Sequence, residues 1–230
     1  MDSFDRIFAR AAKRKGGTGA LETLLPTPKG DKALARLADD RFLSQFAKSI
    51  FQAGFVWRVV ENKWPAFEEA FGGFEPSRIA AWPDEELDRL LRDTRIIRNG
   101  TKIKAVRDNA VFLGALAQDH GSAAQFFAAW PPTDIVGLLE VMKRRGQRLG
   151  GMTGQYSLRS LGKDCFILSK DVTAALIAQG VVDKAPTSKR DLAAVQAAFN
   201  RWHQESGRPI AQISRVLACS IGDSIRHTGP

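Results

Sequence analysis

The stretch Met142-Lys-Arg-Arg-Gly-Gln-Arg-Leu-Gly-Gly-Met-Thr-Gly-Gln-Tyr-Ser157 decides the fold. Four cations, Lys143, Arg144, Arg145 and Arg148, are packed around Gly146, and the turn Gly150-Gly-x-Thr-Gly154 follows at once. An amphipathic segment comes next. A basic loop that enters a tight turn and then a new helix points backbone N–H groups outward at the helix N-terminus, where they can hold an anion. The flanking cations make phosphate the fitting anion. Across 230 residues Lys and Arg outnumber Asp and Glu by 34 to 25, a net charge of +9, which makes nucleic acid its fitting source. Charge alone leaves a second reading open, a basic protein with a solvated surface.

The length suits one large domain or two small lobes, and a hydrophobic content of 44% marks a globular chain with a core. Cys165 and Cys219 are the two cysteines, too few for a disulfide framework or a four-cysteine metal site. His120, His203 and His227 stand at no short ligand spacing from them, so neither metal nor cofactor is expected. The start, Met1-Asp-Ser-Phe-Asp5, lacks the order of a signal peptide. No apolar run approaches the roughly 20 residues that span a bilayer. A cytoplasmic monomer without a membrane partner is the expectation.

The pattern predicts an all-α chain. Residues 3–15 read as a basic helix ending before Gly16-Gly17, and Leu25–Gly30 as a loop. A long periodic stretch runs over 39–62, with Phe42, Phe46, Ile50, Phe51, Phe55 and Val59 as its apolar positions. Pro65, Pro76 and Pro83 are read as first-turn prolines of the short helices that follow. Further helices are predicted over 101–118, 133–143, 152–161, 171–179, 188–205 and 209–220. Residues 1–35 form a basic N-terminal arm in this reading, and 36–230 the main domain with a hairpin near 143–161.

Four segments carry a family resemblance. They are Gln52-Ala-Gly-x-x-Trp57, Phe67-x-x-x-Phe71-x-x-Phe74-x-Pro76, Ile96-Ile-Arg-x-x-x-Lys102-Ile103, and Lys143-x-Arg-Gly-x-Arg-x-x-Gly151-x-Thr153-x-x-Tyr156-Ser157. In order and spacing they resemble the 3-methyladenine DNA glycosylase I family of the helix-hairpin-helix glycosylase superfamily, over roughly residues 36–165. The resemblance implies a two-lobed, all-helical fold whose cleft accepts a flipped base. Two departures stand out. The family's base-reading glutamate would fall three residues before Gln52, where this chain has Ser49, and its N-terminal zinc-binding, tyrosine-rich region has no counterpart in 1–35.

The resemblance also distributes roles. Ser49, Gln52, Phe55, Trp57 and Tyr156 fall at the base pocket. An aromatic face there would stack on an extruded base, and a cationic alkylated base adds cation–π attraction. Gly151, Thr153, Gly154 and Gln155 belong to the hairpin that holds a phosphate, with Lys143, Arg144, Arg145, Arg148 and Lys170 as backbone contacts. Lyase-active relatives carry a lysine where Gln155 stands, and an amide forms no Schiff base. The superfamily's aspartate would be Asp171, stabilising the sugar cation or orienting water. Each role has a plainer alternative. Ser169 or Asp171 caps a helix, Phe55 packs in the core, the glycines make an ordinary turn, and Asn99 and Lys102 lie on a cleft lip or on plain surface.

The function these readings imply is base-excision repair. A monofunctional glycosylase would flip a damaged base, 3-methyladenine-like, from double-stranded DNA and hydrolyse its N-glycosidic bond. Two alternatives stand beside it, a non-catalytic damage-binding protein and a glycosylase for an oxidised or deaminated base.

Overall fold

The structure, a computed structural model, describes residues 1–221. Those residues are all-α, with fourteen helices, two short 3-10 turns and no strand. Helices α1 (Phe4–Lys15) and α2 (Thr18–Glu22) come first. Then come α3 (Asp31–Leu34), α4 (Asp39–Gln52), α5 (Trp57–Ala70), α6 (Pro76–Ala80) and α7 (Asp84–Arg92). Next are α8 (Gly100–His120), α9 (Ala123–Ala129), α10 (Ile135–Arg145) and α11 (Met152–Leu161). The last are α12 (Lys170–Ala178), α13 (Lys189–Ser206) and α14 (Ile210–Ile221). The chain divides into two compact units. One holds Met1–Pro28, Pro131–Val136 and the chain from Asp164 on; the other holds Lys29–Trp130 and Gly137–Lys163.

In the first unit α1 packs on α14. Its apolar side, Phe4, Ile7 and Ala11, is buried, while Arg6, Arg10 and Lys13 face solvent. Of the segment read as an arm, residues 1–28 therefore fold into this unit, and 29–35 belong to the other. Hydrogen bonds hold the start of the chain: Phe4 N donates to Glu205 at 2.8 Å and Trp202 Nε1 to the Asp2 carbonyl at 3.2 Å. Asp164 caps α14, its two carboxylate oxygens accepting from the backbone N–H groups of Ile210 and Ala211 at 3.1 and 2.7 Å.

In the second unit α4 is the central helix, packed on α5, α8, α9 and α11. Phe42, Phe46 and Ile50 recur every fourth residue and are buried, as is Phe51. Phe42 stacks on Phe127 at 5.1 Å and Phe51 meets Phe67 edge-on at 4.6 Å. Helix α9 is held at both ends by charges that suit its dipole. Asp39 accepts from Ala123 N and Ala124 N, each at 3.0 Å. At the other end the buried Lys163 donates to the carbonyls of Ala128 and Trp130.

Two readings of this unit need correction. The periodic stretch 39–62 is not one helix, because it breaks between Gln52 and Trp57, where Gly54 takes a φ of 79°. Glycine accepts that left-handed turn without a Cβ penalty. Pro65 stands inside α5, not at a first turn. An interior proline costs ~3 kcal/mol, and the helix runs on because Val60, Phe67 and Ala70 continue its buried stripe on both sides of the proline.

Glu68 ties α5 to α4. It accepts from Arg41 Nη1 and Nη2 at 3.1 Å, from Ser44 Oγ at 2.6 Å and from Trp64 Nε1 at 3.1 Å. Burial pushes its carboxyl up, but the bonds from Arg41, Ser44 and Trp64 outweigh burial and hold it below the ordinary 4.5. Its stabilising contribution is thus complete above the ordinary value and is lost as pH falls through the lowered one. The expected result is that Glu68→Gln is less stable than the native chain at neutral pH. It should also lose less of its stability on acidification, as read by urea denaturation across the acid range.

Candidate functional site

Helices α10 and α11 form the predicted helix–turn–helix, with residues 146–151 between them. Its tightness follows from Gly154, where a Cβ would sit 2.3 Å from the Leu149 carbonyl oxygen. Only a glycine lets the first turn of α11 lie this close to the incoming loop. From α8, the fully buried Asn109 clasps the turn. Its Oδ1 accepts from Gln147 N at 2.8 Å and its Nδ2 donates to the Gln147 carbonyl at 3.0 Å. Side chains cap the N-termini of α8, α9, α12 and α13, but none caps α11, whose first N–H groups stay open to an outside acceptor.

The four expected cations do not behave alike. Arg145 lies 4.0 Å from Asp119 and 5.5 Å from the Phe112 ring. Lys143, Arg144 and Arg148 are exposed and make no ion pair among the described residues. Arg148 takes a φ of 59°, uncommon for a residue with a Cβ.

Beside the turn lies an open hollow of about 290 Å³, lined by Ile50, Ala53, Arg148, Gly150 and Thr153. The end of α4 makes one wall, and the turn with the start of α11 makes the other. None of the five expected pocket residues is among these wall residues; they stand around it. Tyr156 follows Thr153 by one turn of α11 and meets Trp57 edge-to-face, with ring centroids 5.1 Å apart at 87°. Burial raises the Tyr156 phenol above its usual range, with Arg159 opposing. Trp57 is 40% and Phe55 41% exposed, so neither is a core residue. Ser49 and Gln52 are buried on the α4 flank. Ser49 Oγ accepts from Gln45 Nε2 at 3.1 Å, and Gln52 Nε2 donates to Glu61 at 2.9 Å.

Lys102 is neither lip nor surface. It is 6% exposed, and its Nζ donates to the carbonyls of Phe51 at 3.1 Å and Ala53 at 2.6 Å, closing the end of α4. It also stands 4.5 Å from the Phe55 ring. Desolvation, with the nearby Arg148 charge, lowers its ammonium below the usual range. Asn99 caps α8, accepting from Lys102 N at 3.1 Å.

Asp171 is in the other unit, second residue of α12 and partly exposed. Ser169 provides the cap there, accepting from Val172 N at 3.3 Å. The Asp171 carboxylate has no hydrogen-bond or ion-pair partner among the described residues. Lys170 beside it is exposed, and Gln155 is buried on α11. Among the described residues no three His, Cys, Asp or Glu side chains gather as metal ligands, and His227 lies outside those residues.

Sequence reasoning passed over Asn109, Lys48 and Glu61. Asn109 left a trace, a polar residue on the buried stripe of α8 between Val106 and Leu113.

An all-helical chain with a glycine-tight, cationic helix–turn–helix and a hollow beside it is the class in hand. Residues 35–157 match the model of the methyladenine glycosylase family, and the chain belongs to that family. DNA-3-methyladenine glycosylase 1 of Escherichia coli (strain K12) is 39% identical over 59 residues, which are 26% of this chain and 32% of that protein. DNA-3-methyladenine glycosylase of Haemophilus influenzae (strain ATCC 51907 / DSM 11121 / KW20 / Rd) is 34% identical over 59 residues, with the same shares, 26% and 32%. The chain spans about a third of the length of the curated relatives it matches. A crystal structure of 3-methyladenine DNA glycosylase I is similar at 28% identity and a TM-score of 0.46, over 61% of this chain and 84% of that one. The Staphylococcus aureus 3-methyladenine DNA glycosylase I is similar at 24% identity and a TM-score of 0.47, over 60% and 80%.

The Asn109 clasp is open to test. Asn109→Ala removes two hydrogen bonds and strands a buried peptide group, so it should cost about 2 kcal/mol in urea denaturation. The Gln147 amide should lose its protection from hydrogen exchange. Unchanged protection would mean the turn is held by other contacts.

Proposed function

We propose that this protein is a monofunctional DNA glycosylase of base-excision repair, acting as a monomer on double-stranded DNA that carries an alkylated purine such as 3-methyladenine. The observation that carries the reading is the Trp57–Tyr156 pair beside the hollow at the start of α11, in a chain of the methyladenine glycosylase family. The named relatives are DNA-3-methyladenine glycosylases, and their substrate class is the one carried over.

The chemistry then follows from the residues. The open N–H groups of α11 take one DNA phosphate, and Lys143, Arg144 and Arg148 neutralise its neighbours. Such contacts hold the duplex without reading its sequence. The extruded base stacks on the exposed face of Trp57, whose edge contact with Tyr156 keeps the indole plane fixed. A purine methylated on the ring carries positive charge, which strengthens that stacking and makes the base a good leaving group. The bond between C1′ and the base nitrogen breaks, its electron pair leaves with the base, and the sugar becomes cationic. Asp171 is the carboxylate read as stabilising that cation and orienting the water that adds at C1′. Gln155 offers no amine, so the product is an intact abasic site.

One observation favours a second reading, binding to damage without excision. Ser49 stands where the family resemblance expects a carboxylate, and its hydroxyl is engaged by Gln45.

Release of methylated purine from N-methylated duplex DNA, native against Asp171→Asn, decides between them. Excision predicts release by the native protein and a drop of about 100-fold or more in the variant. Release that survives moves the carboxylate role to another residue. Binding without any release supports the second reading. Replacing Lys143, Arg144 and Arg148 together by Gln should flatten the dependence of log affinity on log salt by roughly 0.9 for each phosphate no longer neutralised. It should weaken all duplexes alike.

A further inference from the structure

Beside the hollow, α4 and α5 share a polar arrangement that the proposed reaction leaves unused. Trp57 and Glu61 stand four residues apart on α5 and so share one side of it. Glu61 reaches back to α4. One carboxylate oxygen accepts from Gln52 Nε2 at 2.9 Å, and the other meets Lys48 Nζ at 2.6 Å. Lys48 in turn lies 5.5 Å from the Trp64 ring.

The two ends of a primary amide have nearly the same shape and opposite hydrogen-bonding roles, so the neighbours set which end points where. Glu61, paired with an ammonium, is a carboxylate and accepts only. The amide of Gln52 must therefore turn its NH₂ toward Glu61 and its oxygen away. That oxygen accepts no hydrogen bond from any described residue, and Gln52 is 7% exposed. A nearly buried acceptor without a partner is costly unless something supplies an N–H.

We propose that Glu61, held by Lys48, is a positioning residue that fixes Gln52 as an acceptor, so that the site selects a base bearing an exocyclic amine over one bearing a carbonyl at the same place. This rests on the excision reading above and names its selectivity. A carbonyl brought against the fixed oxygen would leave two acceptors facing each other. A polar site of this kind rejects the wrong partner more strongly than an apolar one does.

The purines 3-methyladenine and 3-methylguanine are a suitable pair, since the first carries an amine and the second a carbonyl at the ring carbon six. The ratio of their release rates from methylated duplex DNA is compared for the native protein, Glu61→Gln and Glu61→Leu, with melting curves to confirm folding. A glutamine at 61 can offer either end to Gln52, and a leucine offers neither, so both free the amide to turn. The expected result is a native preference for 3-methyladenine that falls about tenfold or more in both variants. A merely structural role for Glu61 would slow both purines alike. An unchanged ratio with release retained, or no native preference at all, overturns the inference and leaves the excision reading standing. If the native protein releases neither purine, the excision reading fails. The two free bases then decide the inference through their affinities, read by tryptophan fluorescence. Native preference for 3-methyladenine that the variants lose upholds it, and equal or absent binding overturns it.

Discussion

A single ammonium, that of Lys102, closes the end of α4, and the geometry of the candidate site depends on it. A helix leaves its last carbonyls without partners and carries partial negative charge there. At the end of α4 this happens in a buried place, where bare carbonyls and a bare cation would each be costly. Lys102 settles both, giving two N–H donors to Phe51 and Ala53. Ala53 is a wall of the hollow, and the chain that leaves it turns at Gly54 into Phe55 and Trp57. The lowered affinity of Lys102 for its proton shows the strain of that placement, imposed by desolvation and by Arg148 across the hollow.

The features that could be read from the chain were those set by near neighbours. The helix–turn–helix appears where its glycines and cations stand, and α11 begins and ends at the predicted residues 152 and 161. The Trp57 and Tyr156 rings, far apart in sequence, were placed together by the family resemblance, and they touch. What escaped was decided by partners on other helices. A lysine at the start of an amphipathic helix looks like surface. Only the approach of α4 to α8 makes Lys102 a cap. Asn109 looks like a defect in an apolar stripe until the loop at Gln147 arrives to use both ends of its amide. Glu61 and Lys48 read as a solvated charge pair on separate helices, and nothing local tells that Gln52 lies between them. Pro65 misled for the same reason, because burial of α5 on both sides outweighs what the proline removes.

The turn and the hollow also divide charge between them in a consistent way. Within the same unit several cations are spent on structure: Lys102 and Lys163 close helix ends, and Arg41 binds Glu68. Those of the turn are mostly spared. Lys143, Arg144 and Arg148 face solvent, and only Arg145 leans on an acid. A cation already paired would have to give up its partner before it could hold a phosphate. Surface pairs are weak, so the loss in stability from leaving these side chains unpaired is small.

That division explains the choice of residue at 109. The turn must be pinned, because loosely held N–H groups would lose entropy on binding an anion. A carboxylate at 109 could accept from Gln147 N, but it could not donate to the Gln147 carbonyl. It would also place a buried negative charge beneath the cations and oppose any phosphate they hold. A lysine could donate but not accept. An amide does both and carries no charge. Asn109 thus fixes the shape of the turn while leaving its positive potential to Arg148 and its neighbours. The same logic separates Gln52 from the acids around it, since an amide held by Glu61 offers the hollow's flank an oriented acceptor without adding a second charge.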